Sequence, residues 1–510
     1  MRRVFSLFVI FLLILTGSFL FTKSPVKIGL IPLDSRPCNT QYPELLATMS
    51  NAKIEIPYQY LDSYLLPADT EGLWNWLNNS SKNFGKIIIN TNELFNGGLI
   101  ASRHPSSYKD WETKIKNFEK FCLENKNKEV IVITVLPRLL PSQFTHLWKY
   151  KDELITYAKK IDKYSLAGKK NPLPPKNIPE NILDEYLSIY KNTNDLVRYI
   201  ISLTNQGLVD HYLIGQDDAE KYGLSNKIIR ELTPEFNEKI QFVHGADELT
   251  MLALTKTLSS KSKPVLSIAY TNDSLKNNFF PFEAAELENV LKTKMEYFNI
   301  SLNTTSPHLE IIHNDFKEVP LLEKKIREKE RGYLGIMDIA YTNRGDISLL
   351  DFIFSQKLVK KIDGYAGWNT ASNTIGTELA HFVSYQYLQE NFKKYKKTSK
   401  EEALQALIKF KYIRVTEDLV YQGILREKLN KELTKRKIDP YHLGEFKSEA
   451  NKILEDLYKP YQEKLANALS GDYQVGTIQF TVNNITSKIE LPWERTFEAK
   501  VVPQVNITIK

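Results

Sequence analysis

Cysteine and histidine are scarce in this chain. Cys38 and Cys122 are its two cysteines, and eight histidines are spread over 510 residues. Two distant thiols form no zinc or redox motif, and a count of two leaves a single disulfide open without establishing it. No His-x-x-x-His or paired-cysteine spacing is present. Also missing are the Gly-x-x-x-x-Gly-Lys-Ser/Thr loop, the Gly-x-Gly-x-x-Gly turn and the Gly-x-Ser-x-Gly elbow. Their absence removes the P-loop, dinucleotide and serine-hydrolase readings. Charge of one sign is not concentrated either. There are 68 basic and 61 acidic residues, a formal charge of +7 on a mixed surface. Lysine runs such as residues 393–397 read as solvated helix ends. No basic-aromatic motif points to nucleic acid. After about Lys23 there is no apolar run long enough to span a membrane.

The exception lies at the start. Arg2 and Arg3 precede Val4–Phe21, which carries no charge. Charge followed by an apolar run is the order of an export signal. The run ends in bulky residues and lacks a small-x-small cleavage site. It therefore reads as an uncleaved membrane anchor, with a cleaved signal as the alternative. Either way the remainder is expected outside the cytoplasm, touching the membrane only through this segment.

What is present is a globular composition, 42% hydrophobic and 25% charged, with a repeating pattern. Buried-strand runs recur at 26–33, 86–90, 129–136, 211–215, 241–245, 264–270, 309–313, 332–337 and 362–366, with helical stretches between them. Such alternation predicts parallel strands with crossover helices. The expected fold class is α/β, a (β/α) or TIM-barrel-like parallel sheet, with an open sheet or two α/β lobes as the alternative. The expected domains are a signal or anchor over 1–25 and an α/β catalytic-like unit over 26–398. A helical segment (399–470) and a small antiparallel β module (471–510) follow. Within the α/β unit, residues 140–205 read as a helical insertion, a lid or docking arm, broken by prolines at 172–175. The segment around Arg414, Glu417, Asp418, Tyr421 and Arg426 is helical and strongly charged.

Nearly every strand run ends in a polar residue. One-ended polarity is what a site at the C-terminal face of parallel strands produces. Asp34 and Arg36 follow the first strand; Asn96 and Arg103 follow the second. Asp217 and Asp218 are adjacent after a buried strand, so both cannot shed water cheaply. One should titrate high and serve as a general acid while the other stays ionised. Such neighbouring pairs serve glycosidases that use the substrate's own acetamido group. Asp247 and Glu248 form a second pair, and Asp338 and Asn343 close another strand end. In the run from Tyr365 to Ala380, Trp368 offers a flat apolar face beside Asn369 and Asn373, a combination suited to a polar ring. A capped strand-to-helix turn is the structural alternative for the same residues.

Several of these segments together carry a resemblance. They are Pro32–Pro37, Gly97–Arg103, Gly215–Asp218, Gly245–Glu248, Asp338–Tyr341, Gly367–Gly376 and Leu491–Glu498. As a set, from about residue 26 to the C-terminus, they resemble the bacterial family called domain of unknown function 4127. Arg344, within Asn343–Asp346, departs from the Asn-Gly pair expected there. The resemblance implies one architecture and an enzyme-like set of polar loops, and names no reaction.

From the residues, the expected function is an extracytoplasmic hydrolase acting on a carbohydrate, an amino-sugar glycoside of the cell envelope. Asp217, Asp218, Asp247 and Glu248 would be catalytic. Asp34, Arg36, Asn96, Arg103, Asp338, Asn343, Trp368, Asn369 and Asn373 would bind substrate. No metal and no cofactor are expected. The alternatives are a non-catalytic glycan-binding envelope protein and a metal-dependent hydrolase.

Overall fold

The computed structural model describes residues 24–105 and 110–510, apart from the side chains of residues 356 and 357. The anchor reading of residues 4–21 lies outside them. Among the described residues no helix is long and apolar enough to cross a membrane.

The class is α/β, and the parallel strands are divided between two sheets, the two-lobed form of the expected arrangement. In the first sheet, β1 (Val26–Ile31), β2 (Ala52–Glu55), β3 (Lys86–Asn90), β4 (Glu129–Leu136), β5 (His211–Gln216) and β6 (Ile240–Phe242) lie in the order β2-β1-β3-β4-β5-β6. The second contains β7 (Val265–Tyr270), β8 (Ser301–Leu302), β9 (Leu309–His313), β10 (Leu334–Asp338) and β11 (Gly364–Ala366), in the order β11-β10-β9-β7-β8. The two orders share one rule. The second strand of each sheet turns to one edge, and the later strands add on the other side. That winding places a switch point between β1 and β3 and another between β7 and β9, where open α/β sheets bind ligands. Central strands such as β4 are buried along almost their whole length, which is why they read as unbroken aliphatic runs.

One continuous core joins the lobes. It holds Ile28, Ile131 and Leu213 of the first sheet together with Ile311, Ile336 and Tyr365 of the second. Between them runs the helix Leu249–Leu258, which is apolar and buried on nearly all sides. A second core covers the other face of the first sheet. There the helix Glu180–Asn205 lays an apolar stripe (Tyr186, Ile189, Leu196, Ile200) on the strands, and the helix Lys151–Leu166 packs on the helix Leu224–Leu232. Each such side chain contributes about 1.5–3 kcal/mol by leaving water. Residues 140–205 therefore serve as a packed crossover, tied down by the hydroxyls of Tyr186 and Tyr190, which donate to the carbonyls of Leu139 and Arg138.

The C-terminal part follows the expected pattern of helices and then antiparallel strands. Lys397–Arg414 and Lys447–Leu469 are long helices, and between them Val415–Leu425 is a π-helix. Then β12 (Gly471–Val475), β13 (Ile478–Glu490) and β14 (Lys500–Ile509) form an antiparallel sheet.

Candidate functional site

The strand ends of the two sheets meet around Arg36. Directly after β1 the chain turns so that Asp34 accepts hydrogen bonds from the Arg36 guanidinium (2.9 and 2.6 Å) and from Asn39 (3.0 Å). The guanidinium then reaches Asp247, beyond β6, at 2.5 Å. Its far face lies 5.3 Å from the Trp493 ring, contributed by the C-terminal module. Arg36 is thus a buried strut between two carboxylates and an aromatic wall. Asp247 is aimed at it by Gly245, whose φ of +106° few other residues could adopt and whose missing Cβ leaves room for the Glu248 carboxylate.

Asp217 and Asp218 leave β5 beside this strut. Arg103 pairs with Asp217, its Nε lying 3.1 Å from Oδ2. Arg138 lies 3.9 Å from Asp218. The two neighbours differ in exposure: the Asp217 side chain is 8% exposed and that of Asp218 34%. They differ in charge as well. Burial opposes ionisation of Asp217, but Arg103 and Arg138 outweigh it and hold its pKa below the ordinary carboxylate value. Burial, with the negative charge of Asp217 adding to it, pushes Asp218 up to about 6. Burial also lifts Asp247 to about 6 against the pull of Arg36, and Glu283 to about 7. Glu283 accepts hydrogen bonds from the backbone N–H (2.7 Å) and hydroxyl (2.6 Å) of Ser372.

The loop after β11 forms the facing wall. Asn369, at a φ of +51°, donates to Asp247 (3.1 Å), and its carbonyl accepts from the backbone of Asn343 (2.7 Å). The Trp368 indole N–H donates to Thr377 (3.2 Å), and its ring meets the edge of Tyr42. Thr370 and Asn373 make a capping box that starts the helix Ala371–Asn391, satisfying donors that a helix end otherwise leaves unpaired.

Two small cavities flank Asp247 and Asn369. One, with about 20 Å³ of free space, is lined by Asp217, Asp218, Glu283, Phe282 and Asn373. The other, about 30 Å³, is lined by Arg36, Tyr42, Asn343, Trp368, Glu417 and Phe497. Either volume holds a water or two.

Most of the residues expected at a site are therefore brought together: Asp34, Arg36, Arg103, Asp217, Asp218, Asp247, Asn343, Trp368, Asn369 and Asn373. Three are placed elsewhere. Glu248 is fully buried, paired with Lys294 (2.7 Å) and accepting from Asn373 (2.7 Å), and lines neither cavity. Asp338 is buried beneath, where it accepts from the Tyr365 hydroxyl (2.8 Å) and the Asp346 backbone (2.6 Å). Asn96 lines a separate groove with Tyr64 and Phe144.

Other participants went unrecognised in the sequence. Glu283 and Arg138 sit in loops without periodicity. Arg414, Glu417 and Asp418 arrive on the π-helix side. Arg414 is fully buried, lies 4.1 Å over the Tyr42 ring and pairs with Asp418 at 3.1 Å. Asp418 in turn accepts from the Gly367 backbone (2.8 Å), which anchors the Trp368 loop. The dense charge of that segment was the available signal. Widened helical turns recur at functional sites. Cys38 and Cys122 are both buried and unbonded to each other. Among the described residues no group of three or more His, Cys, Asp or Glu is arranged to hold a metal ion.

No curated protein and no solved structure matches the chain. A family model does, over residues 28–502, described as Protein of unknown function (DUF4127). That match covers nearly the whole sequence, and the chain belongs to this family.

Proposed function

We propose that this protein is a hydrolase acting on carbohydrate, on an amino-sugar glycoside of the cell envelope, and working outside the cytoplasm behind its N-terminal segment. The observation that carries this reading is the split between two adjacent carboxyls in one cavity. Arg103 keeps Asp217 ionised, while Asp218 is raised to about 6 and remains partly reachable. A poised acid beside a fixed anion is what acid-assisted cleavage of a glycosidic bond requires.

In this reading Asp217 accepts a hydrogen bond from the substrate's acetamido N–H. The acetamido oxygen attacks the anomeric carbon as the glycosidic C–O bond breaks. Asp218 gives its proton to the departing oxygen, and afterwards takes one from the water that opens the cyclic intermediate. Trp368 stacks on a sugar face, and Asn369 bonds hydroxyls. A ring does not fit in 20–30 Å³, so a wall must move. Phe282 is the candidate, since it lines the same cavity as the acid, is 49% exposed and is held at a φ of +67°, a conformation unfavourable for a bulky residue.

A panel of amino-sugar glycosides tests the reading. On any glycoside that the protein cleaves, Asp218→Asn is expected to lower kcat by about 10²–10⁴-fold. Unchanged turnover removes Asp218 as the acid. A glycan-binding protein without turnover is the second reading, favoured by the arginine pairing that immobilises both Asp217 and Asp247. Saturable binding across the panel without cleavage, lost in Trp368→Ala, would select it.

A further inference from the structure

We propose that the groove beside Asn96 is a second saccharide subsite, which makes the ligand a glycan chain rather than a single glycoside. The inference rests on the carbohydrate reading given above and extends it to chain length.

The groove has about 530 Å³ of free space, against about 30 Å³ beside Trp368. That lies within the ordinary range for small-molecule sites. Its lining combines rings with hydrogen-bonding groups: Tyr64 and Phe144 together with Asn96, Ser142 and Thr145. Sugars present the same alternation, apolar C–H faces bordered by hydroxyls. Phe144 is 38% exposed, so part of its ring is open to a ligand.

The groove is also built rather than incidental. Tyr64 stands at a φ of +55°, an uncommon conformation for an aromatic residue. The turn around it is closed by two backbone hydrogen bonds between Ser63 and Leu66, of 2.9 and 3.0 Å. Its hydroxyl donates to the carbonyl of Tyr441 at 2.9 Å. Next to Asn96, Gly97 at a φ of +82° packs so closely on Pro67 that a Cβ would stand 2.9 Å from the proline ring. The Gly97 carbonyl accepts from the Ala68 backbone at 3.0 Å.

The groove connects to the acidic site through one segment, Leu491–Glu498, which the proposed chemistry leaves unused. Trp493 packs on Tyr64 with ring centroids 5.7 Å apart, carries Arg36 on its ring, and donates its N–H to Ser35 at 2.8 Å. Arg495 lies 5.0 Å from the Tyr64 ring and 5.1 Å from that of Phe497, a wall of the Trp368 cavity. A continuous band of packed aromatic and guanidinium groups, with Tyr64 and Trp493 almost fully buried, therefore ties the wall of the groove to the strut.

The test uses the full chain and N-acetylglucosamine oligomers from the disaccharide to the hexasaccharide, with binding measured calorimetrically. Affinity is expected to rise by about tenfold or more between the shortest and the longest. Phe144→Ala should collapse that ratio towards one, and Phe144→Tyr should restore it. Matching thermal midpoints establish that both variants fold. Equal affinities at all lengths, or an unchanged ratio in Phe144→Ala, overturn the subsite while leaving the carbohydrate reading standing. Failure of every oligomer to bind overturns both.

Discussion

Two groups of buried carboxyls in this molecule have opposite neighbours. At the seam between the sheets, Asp34, Asp247 and Asp217 each face an arginine. In the middle of the second sheet, Glu310 faces none. It lies in register with Gly335 on the adjoining strand and, through it, with Gly364 on the next, and the empty positions at those glycines make room for Glu310, Glu378 and the Tyr333 hydroxyl. Tyr333 donates to Glu378 and contacts His381 Nδ1 at 2.7 Å. Both Glu310 oxygens lack a hydrogen-bond partner. Burial first, and then the charge of Glu378, raise Glu310 well above its ordinary value. The contrast shows what an arginine can do. Arg103 and Arg138 hold the buried Asp217 as an anion. Glu310, with no arginine beside it, keeps its proton and becomes packing.

The sharpest way to break the comparison is to remove the strut. Arg36→Ala leaves Asp34 and Asp247 facing each other in a buried space. The expected cost is roughly 3–5 kcal/mol of unfolding free energy, read from urea denaturation. A change below about 1 kcal/mol would mean that the seam is no more dependent on its arginines than an exposed ion pair is.

An intermediate effect is expected at Arg138, which lowers the pKa of Asp218. If Asp218 is the acid, the rate falls as pH rises through about 6, because the proton is lost. Replacing Arg138 by Gln removes a positive charge 3.9 Å away. Asp218 then holds its proton to higher pH, and the alkaline limb of kcat/KM should move up by about one unit. A limb that does not move separates Arg138 from the chemistry.

The smallest effect belongs to the uncompensated group. Glu310→Gln replaces a neutral acid with a neutral amide of the same shape. At pH 5 the variant should lie within about 1 kcal/mol of the parent. The folded pKa is raised from an ordinary value of 4.5. The stabilisation due to this proton is therefore complete below that value and is lost as pH rises towards the folded value. As pH rises above about 5, the parent should lose stability more steeply than the variant does. Parallel curves would show that Glu310 is ionised after all and that the two groups are alike.

Much of the fold was legible because burial writes itself into composition. Each anticipated strand run overlaps a strand, since a strand covered on both faces must be aliphatic. The missed strands, β2 and β8, are edges. One is half exposed and the other has two residues, both exposed, so neither needed an apolar pattern. The division into two sheets left no mark either, because a strand's composition reports its burial and not its neighbour. At the site, Asp217 and Asp218 were readable from their position after β5, but Arg103 and Arg138, which hold Asp217 down, are distant in sequence. Asn373 shows the limit of residue type as a guide. It lines a cavity, yet its side chain is committed to the capping box and to Glu248. The charged run near Arg414 was visible, but its π-helical pitch was not, and that pitch accompanies the placing of Glu417 beside Trp368.

The contact between Ser35 and Trp493 spans 458 residues. Contacts of such separation form late, since the intervening chain must first be gathered. As the polypeptide emerges from the ribosome, Asp34 and Arg36 are made long before Trp493 and wait for it before their wall is complete. The aromatic face of the site therefore depends on the C-terminal module. A product that stops short of residue 493 would contain both parallel sheets and still lack it.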